Sequence, residues 1–248
     1  MPQISRRVST SAPPPPTKSA TLRVEQAMQL LQQSGHPMPP GAPGSVAWLQ
    51  GLIDALCDLS SRDALTGLAN RRSFEAGLGR EIDRVARSGE PALLLLLDID
   101  HFKRVNDTHG HAVGDVVIQA VADALRETVR PMDLPARIGG EEFAVILPNC
   151  APAFGQTVAE RLRTRIEARP IKIGPSQTLG VTVSIGGAYA PQWVRSTASL
   201  WMERADLQLY RAKAEGRNRT CLEPTPMSEV TAEEKGLLFG TSNFGEFE

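Results

Sequence analysis

The sequence predicts an α/β domain: a central mixed β-sheet flanked by helices, with a hairpin carrying the stretch GGEEF. Three observations predict it. Residues 92–97 (ALLLLL) form a short, purely apolar run, which suits a strand buried on both faces. Around it, segments with helical apolar spacing alternate with short strand-like runs. Residues 134–138 and 143–147 are two such runs joined only by Gly139-Gly140-Glu141-Glu142, which makes them a hairpin and the strand directions mixed.

The elements follow in order along 248 residues. Residues 1–44 hold nine of the 19 prolines, with Ser, Thr and Gly between them. Such a segment buries too little surface to offset its ordering entropy, so a mostly disordered arm is expected. One island, residues 20–33, has helical character and ends at Gly35. Residues 45–62 read as a linker helix: Ser45 suits the N-cap, and Val46, Leu49, Ile53 and Leu56 recur at three- and four-residue steps beside Leu52 and Leu59. That face fits either packing within one chain or a parallel coiled coil between two copies. The main domain is expected at 63–221. Helices are expected at 72–87, 115–130, 152–168 and 197–215, and strands at 92–97, 134–138, 143–147 and 180–188. Residues 222–248 read as an acidic disordered tail, whose Phe239, Phe244 and Phe247 allow a docking motif as the alternative.

Composition excludes several classes. A net charge of −1 gives no global field toward nucleic acid or an anionic membrane, so any polyanion must meet local cations. Cys57, Cys150 and Cys221 are odd in number and far apart, which is neither a disulfide framework nor a metal spacing. No run approaches the roughly 20 apolar residues a membrane span requires, and Arg6-Arg7 is followed by prolines rather than an apolar stretch. A cytoplasmic location is expected.

The candidate chemistry lies at the end of the apolar strand. Asp98 follows that run, where α/β proteins place functional groups, and Glu141 and Glu142 occupy the hairpin turn. An acidic turn alone is compatible with a simple solvated loop. If the hairpin lies beside the Asp98 strand, however, the carboxylates converge, and converging carboxylates must share protons or hold a cation. A hard divalent ion takes one or two carboxylates plus phosphate oxygens, so a metal here implies a phosphorylated substrate. His101, His109 and His111 lack partners at metal spacing.

These residues resemble the GGDEF family of bacterial diguanylate cyclases. GGEEF at 139–143 is a variant of the family signature. The segments 63–74 (DALTGLANRRSF), 97–115 (LDIDHFKRVNDTHGHAVGD), 159–163 (AERLR), 181–186 (VTVSIG) and 205–219 (ADLQLYRAKAEGRNR) agree in order and spacing. The resemblance covers about residues 60–221. It implies a nucleotidyl-cyclase-like fold and a nucleotidyltransferase that condenses two GTP into cyclic di-GMP with release of two pyrophosphates. It further implies Mg²⁺ or Mn²⁺, two per active site, and a homodimer, because each domain holds one GTP.

Residue by residue, the match assigns the metals to Asp98, the Ile99 carbonyl and Glu141. Glu142 is expected to support the turn and its charge, and Lys103 to lie near the phosphates. GTP is assigned to Phe102, Asn106, Asp115, Gly139, Gly140, Lys213 and Arg217. A carboxylate at Asp115 suits the donor edge of guanine, and the amide of Asn106 both donates and accepts. Lys213 and Arg217 stand four apart, which lets them point the same way. Arg130-Pro131-Met132-Asp133 is an RxxD separated from Gly139 by five residues, at the position of the family's inhibitory product site, with Arg161 as a secondary contact. Arginine offers a planar fork to phosphate and a face to guanine. Departures are small: Ile138 stands where aromatics are common, and Gln208 where Ala is usual. A non-catalytic cyclic di-GMP receptor is the main rival reading, and a protein partner on the arm or tail is allowed.

Overall fold

A computed structural model describes residues 23–190 and 196–224. The expected disordered arm at 1–22, and the acidic tail with its phenylalanines beyond residue 224, lie outside the described residues. The chain divides into two compact units, Met1–Leu59 and Ser60–Glu248.

In the first unit, α1 (Glu25–Gln33) and α2 (Val46–Ser61) share a small core of Leu31, Trp48 and Leu52. Ser45 caps α2 as its spacing predicts, its Oγ accepting from the Trp48 amide at 3.2 Å. The apolar positions of α2 divide between two destinations. Leu52 is buried, while Val46 is 85% and Ile53 54% exposed.

The second unit is built on a five-stranded sheet. In chain order its strands are β1 (Ala92–Ile99), β2 (Leu134–Arg137), β3 (Glu142–Pro148), β6 (Val183–Tyr189) and β7 (Thr220–Leu222), arranged β2-β3-β1-β6-β7. A separate pair, β4 (Ile171–Lys172) and β5 (Thr178–Leu179), stands apart. The helices are α3 (Arg71–Ser88), α4 (Phe102–His109), α5 (His111–Thr128), α6 (Pro152–Glu167) and α7 (Ala198–Ala214).

β1 is central because its whole apolar run is buried, with neighbours on both edges and helices on both faces. Strand alternation divides that run between two cores. Leu93, Leu95, Leu97 and Ile99 join the core that includes α5 and α6 residues, whereas Ala92, Leu94 and Leu96 join the one that includes α3 and α7 residues.

The mixed sheet is as expected, but its origin differs. The hairpin strands and their β1 neighbour are all antiparallel, and the parallel ladder is β6–β7. β7 is three residues long and carries no periodicity of its own. α4 is also additional to the sequence expectation. Asn106-Asp107 carries turn chemistry, yet burial of Phe102, with Val105 packed on the same core, holds the segment helical. α5 begins at His111 rather than Asp115, so Asp115 lies inside the helix.

Candidate active site

Asp98 has the same strand parity as Leu94 and Leu96, so its side chain faces α7. In the sheet it is paired with Glu142 on one side and Ser184 on the other. Lys213, in the last turn of α7, reaches it: Nζ lies 2.8 Å from Asp98 Oδ2. The Ile99 amide donates to the Glu141 carbonyl at 3.3 Å, which ties the signature turn to the end of β1. Burial pushes the Glu141 carboxyl above its ordinary range and Asp98 and Glu142 add to the effect, while Lys213 opposes it. Carboxylates therefore crowd one strand end and already hold one cationic side chain.

A divalent ion fits this donor set: one buried carboxylate, one half-buried carboxylate and a carbonyl leave positions for substrate oxygens. No group of three or more His, Cys, Asp or Glu with metal-holding geometry occurs among the described residues.

The turn is held by a residue the sequence did not single out. Arg137 Nε donates to the carbonyls of Gly139 and Gly140, both at 3.2 Å, and Nη2 donates to Gly140 at 2.9 Å. Its Nη1 reaches Asp63 Oδ1 at 3.2 Å. Asp63 also accepts from the Thr66 amide at 2.9 Å and hydroxyl at 2.7 Å. Burial pushes the Asp63 carboxyl up, but Thr66 and Arg137 together outweigh it and hold the group below its usual range. A lone arginine two residues before the glycines was the available signal. The two glycines differ in role: a Cβ at Gly139 would stand 2.2 Å from Glu142 Oε2, whereas at Gly140 it meets nothing within 4 Å.

Phe102, Asn106 and Asp115 gather at the α4–α5 corner. Phe102 is buried, Lys103 and Asp115 are exposed, and Asn106 Oδ1 is a buried acceptor with no partner. Gly114 makes the corner possible, since a Cβ there would lie 2.0 Å from Asn106 Oδ1 and 3.2 Å from the Phe102 ring. An orphaned acceptor at this corner is suited to an N–H donor of a ligand, and the exposed Asp115 follows Gly114 directly in the chain. Arg217 lies beyond the end of α7, at φ 62°, so helical i,i+4 geometry does not relate it to Lys213.

The RxxD segment is a β-turn with Pro131 at its second position: the Asp133 amide donates to the Arg130 carbonyl at 3.0 Å. Asp133 Oδ2 accepts from the Arg130 amide at 2.7 Å and lies 3.9 Å from Arg130 Nε, while the buried Oδ1 has no partner. Burial raises the Asp133 carboxyl, opposed by Arg130 and Arg161. The Arg130 side chain is 46% exposed, and Arg161 donates to the Thr128 carbonyl at 3.3 Å. Asp133 and Gly139 are six residues apart, so at most about 20 Å of extended chain separates this turn from the glycine turn.

The model of the diguanylate cyclase GGDEF domain matches residues 60–219. The chain belongs to the GGDEF family. It is 41% identical over 172 residues to the response regulator PleD of Caulobacter vibrioides, covering 69% of this chain and 38% of that protein. Diguanylate cyclase DgcP of Pseudomonas aeruginosa is 44% identical over 162 residues, covering 63% and 23% respectively. The chain thus spans less than half the length of these curated relatives.

Among solved structures, the coiled coil and GGDEF domain of DgcB from Caulobacter crescentus in complex with c-di-GMP superposes with a TM-score of 0.67 at 32% identity. That match covers 81% of this chain and all of that one. The active GGEEF domain of a Vibrio cholerae diguanylate cyclase gives 0.59 at 30% identity, covering 64% and 99%. This GGDEF domain is therefore an α/β domain with a mixed five-stranded sheet, related to diguanylate cyclases. Among the described residues no helix is long and apolar enough to cross a membrane.

Proposed function

We propose that this GGDEF domain is a diguanylate cyclase: it joins two GTP molecules into cyclic di-GMP and releases two pyrophosphates. The observation that carries the reading is the convergence of Asp98, Glu141 and Lys213 at one strand end. Asp98, the Ile99 carbonyl and Glu141 would hold Mg²⁺ or Mn²⁺, which when bound supplies activation of the 3′-hydroxyl and stabilisation of the pyrophosphate. Lys213, Arg217 and Lys103 supply cations for the triphosphate. Asn106 Oδ1 and Asp115 accept from guanine, a donor pattern adenine does not offer. Glu142, lying over Gly139, keeps the turn closed and negative.

One domain binds one GTP, so each 3′-hydroxyl attacks the α-phosphorus held by a partner copy. The exposed Val46 and Ile53 of α2 supply an apolar face on which two chains can pair. The matched DgcB structure, which contains a coiled coil and a GGDEF domain, supports this reading. Arg130, Asp133 and Arg161 form a product site, where the unpartnered Asp133 Oδ1 accepts from guanine and the exposed Arg130 takes phosphate. If the rival receptor reading is correct, this second site is the whole function.

One assay separates the readings. Purified protein is incubated with GTP and Mg²⁺, and pyrophosphate and cyclic di-GMP are measured with Glu141→Ala as control. Product that disappears in the variant is expected. Absence of product at every protein concentration, with cyclic di-GMP still bound, would establish the receptor instead.

A further inference from the structure

Two residues beyond Asp98, a second acid makes contacts of a different kind. Asp100 is buried, 6% exposed, and both of its oxygens are occupied by protein donors. Oδ1 accepts from the Ser184 hydroxyl at 2.6 Å, and Oδ2 from the Thr182 hydroxyl at 2.7 Å. Oδ2 also accepts from the backbone amide of Asn218 at 3.0 Å, across 118 residues of chain. With its oxygens so engaged, Asp100 is not free to join Asp98 as a ligand.

The segment it holds is unusual in backbone. Arg217 and Asn218 both adopt left-handed conformations, φ 62° and 45°, which L-residues disfavour unless surrounding contacts impose them. Those contacts come from three sides. The Arg217 amide donates to the Ala212 carbonyl at 3.0 Å, at the end of α7. The Asn218 side chain accepts from Arg163 Nη1 and donates to Glu167 Oε1, both at 2.7 Å, on α6. Asp100 supplies the third, from the end of β1.

We propose that Asp100 is a positioning residue for the nucleotide. Through the Asn218 amide it fixes the left-handed turn that presents Arg217, so the triphosphate meets a cation set by the same strand that carries Asp98. This rests on the cyclase reading of the site. β1 then does two things at its end: Asp98 offers a carboxylate to the substrate's metal, and Asp100 sets the loop that carries the phosphate-binding arginine. Neither side chain needs to move for the other to act.

The test is a set of double-mutant cycles read by titration calorimetry with Mg²⁺ and 3′-deoxy-GTP, which lacks the attacking hydroxyl and so binds without reacting. Asp100→Ala is expected to weaken binding about tenfold, the loss of one hydrogen bond to a charged acceptor. In an Arg217→Ala background the same change is expected to cost less than about twofold, because the residue through which it acts is gone. Asp100→Asn is the conservative variant. Its oxygen can take the Oδ2 place, accepting from Asn218 and Thr182, while its NH₂ donates to Ser184 Oγ. It is expected to stay within about twofold of the parent.

Asn218→Gly approaches the loop from the other end without touching the Asp100 carboxylate. It frees the turn from α6 and is expected to weaken binding about threefold, again only when Arg217 is present. Should Asp100→Ala lose its melting transition, this second variant decides alone. Equal losses with and without Arg217 would overturn the proposal, as would unchanged affinity in both Asp100→Ala and Asn218→Gly. The two levels remain separable. A parent protein that binds 3′-deoxy-GTP but makes no cyclic di-GMP from GTP refutes the cyclase and leaves the loop inference standing. A parent that binds no nucleotide refutes both.

Discussion

Replacing Arg137 by alanine removes a side chain that holds the glycine turn from outside. The guanidinium donates to the Gly139 and Gly140 carbonyls at 2.9–3.2 Å and pairs with Asp63 at 3.2 Å. A hydrogen bond from a charged donor contributes about 1.5–3 kcal/mol when sheltered. The hydrogen bonds from Arg137 to the Gly140 carbonyl are exposed, so water replaces part of that loss. The Asp63 pair is partly sheltered, with side chains 16% and 23% exposed, and is worth about 1 kcal/mol. Asp63 keeps its Thr66 donors, so no buried charge is stranded. The sum is about 2–3 kcal/mol, or a fall in Tm of about 4–12 °C for a domain of this size. Turnover should fall further than stability implies, by about tenfold or more, because the loosened turn carries Glu141. Arg137→Lys keeps a charge for Asp63 but not the fork, so it should recover stability in part and turnover little. Urea melts and pyrophosphate release measure the two effects. A variant within about 0.5 kcal/mol of the parent, with unchanged turnover, would refute the role given to Arg137.

Other outcomes follow from the same geometry. Because the Glu141 carboxyl is raised, it binds its proton more tightly in the folded chain, and folding loses stability as pH rises through that raised value. Glu141→Gln should therefore stabilise the domain at neutral pH, seen as a higher urea midpoint, while abolishing product; an unchanged midpoint at every pH counts against the crowding of carboxylates. The parent's demand for Mg²⁺ should rise as pH falls toward the Glu141 pKa, beginning above the ordinary glutamate range. Gly114→Ala places a methyl 2.0 Å from the present Asn106 Oδ1 position, so KM for GTP should rise about tenfold with the fold retained; equal KM values would remove Asn106 from guanine recognition. Val46→Glu with Ile53→Glu changes two exposed positions, and sedimentation should show weakened self-association. Arg130→Ala should carry progress curves to a higher plateau of cyclic di-GMP, and identical plateaus would exclude feedback through the RxxD turn.

Much of this protein was legible in its sequence for a stated reason. The apolar run of β1, the capping of α2 by Ser45, the hairpin and the long helices are set by contacts between near neighbours, so their periodicity records them. The acidic turn and the RxxD turn are also local, and Asp98 is marked by its place after the apolar run. α4 was missed because the burial of Phe102, with partly buried Val105 beside it, overrides turn chemistry, and β7 because three residues carry no period. What tertiary structure alone decided are the joins across the chain: Lys213 on Asp98, Arg137 between Asp63 and the glycine turn, and Asp100 holding Asn218. Each links residues 74 or more apart, brought together only when the sheet order is set. Sequence spacing determines which residues a strand end can offer, but distances across the sheet determine what those residues meet.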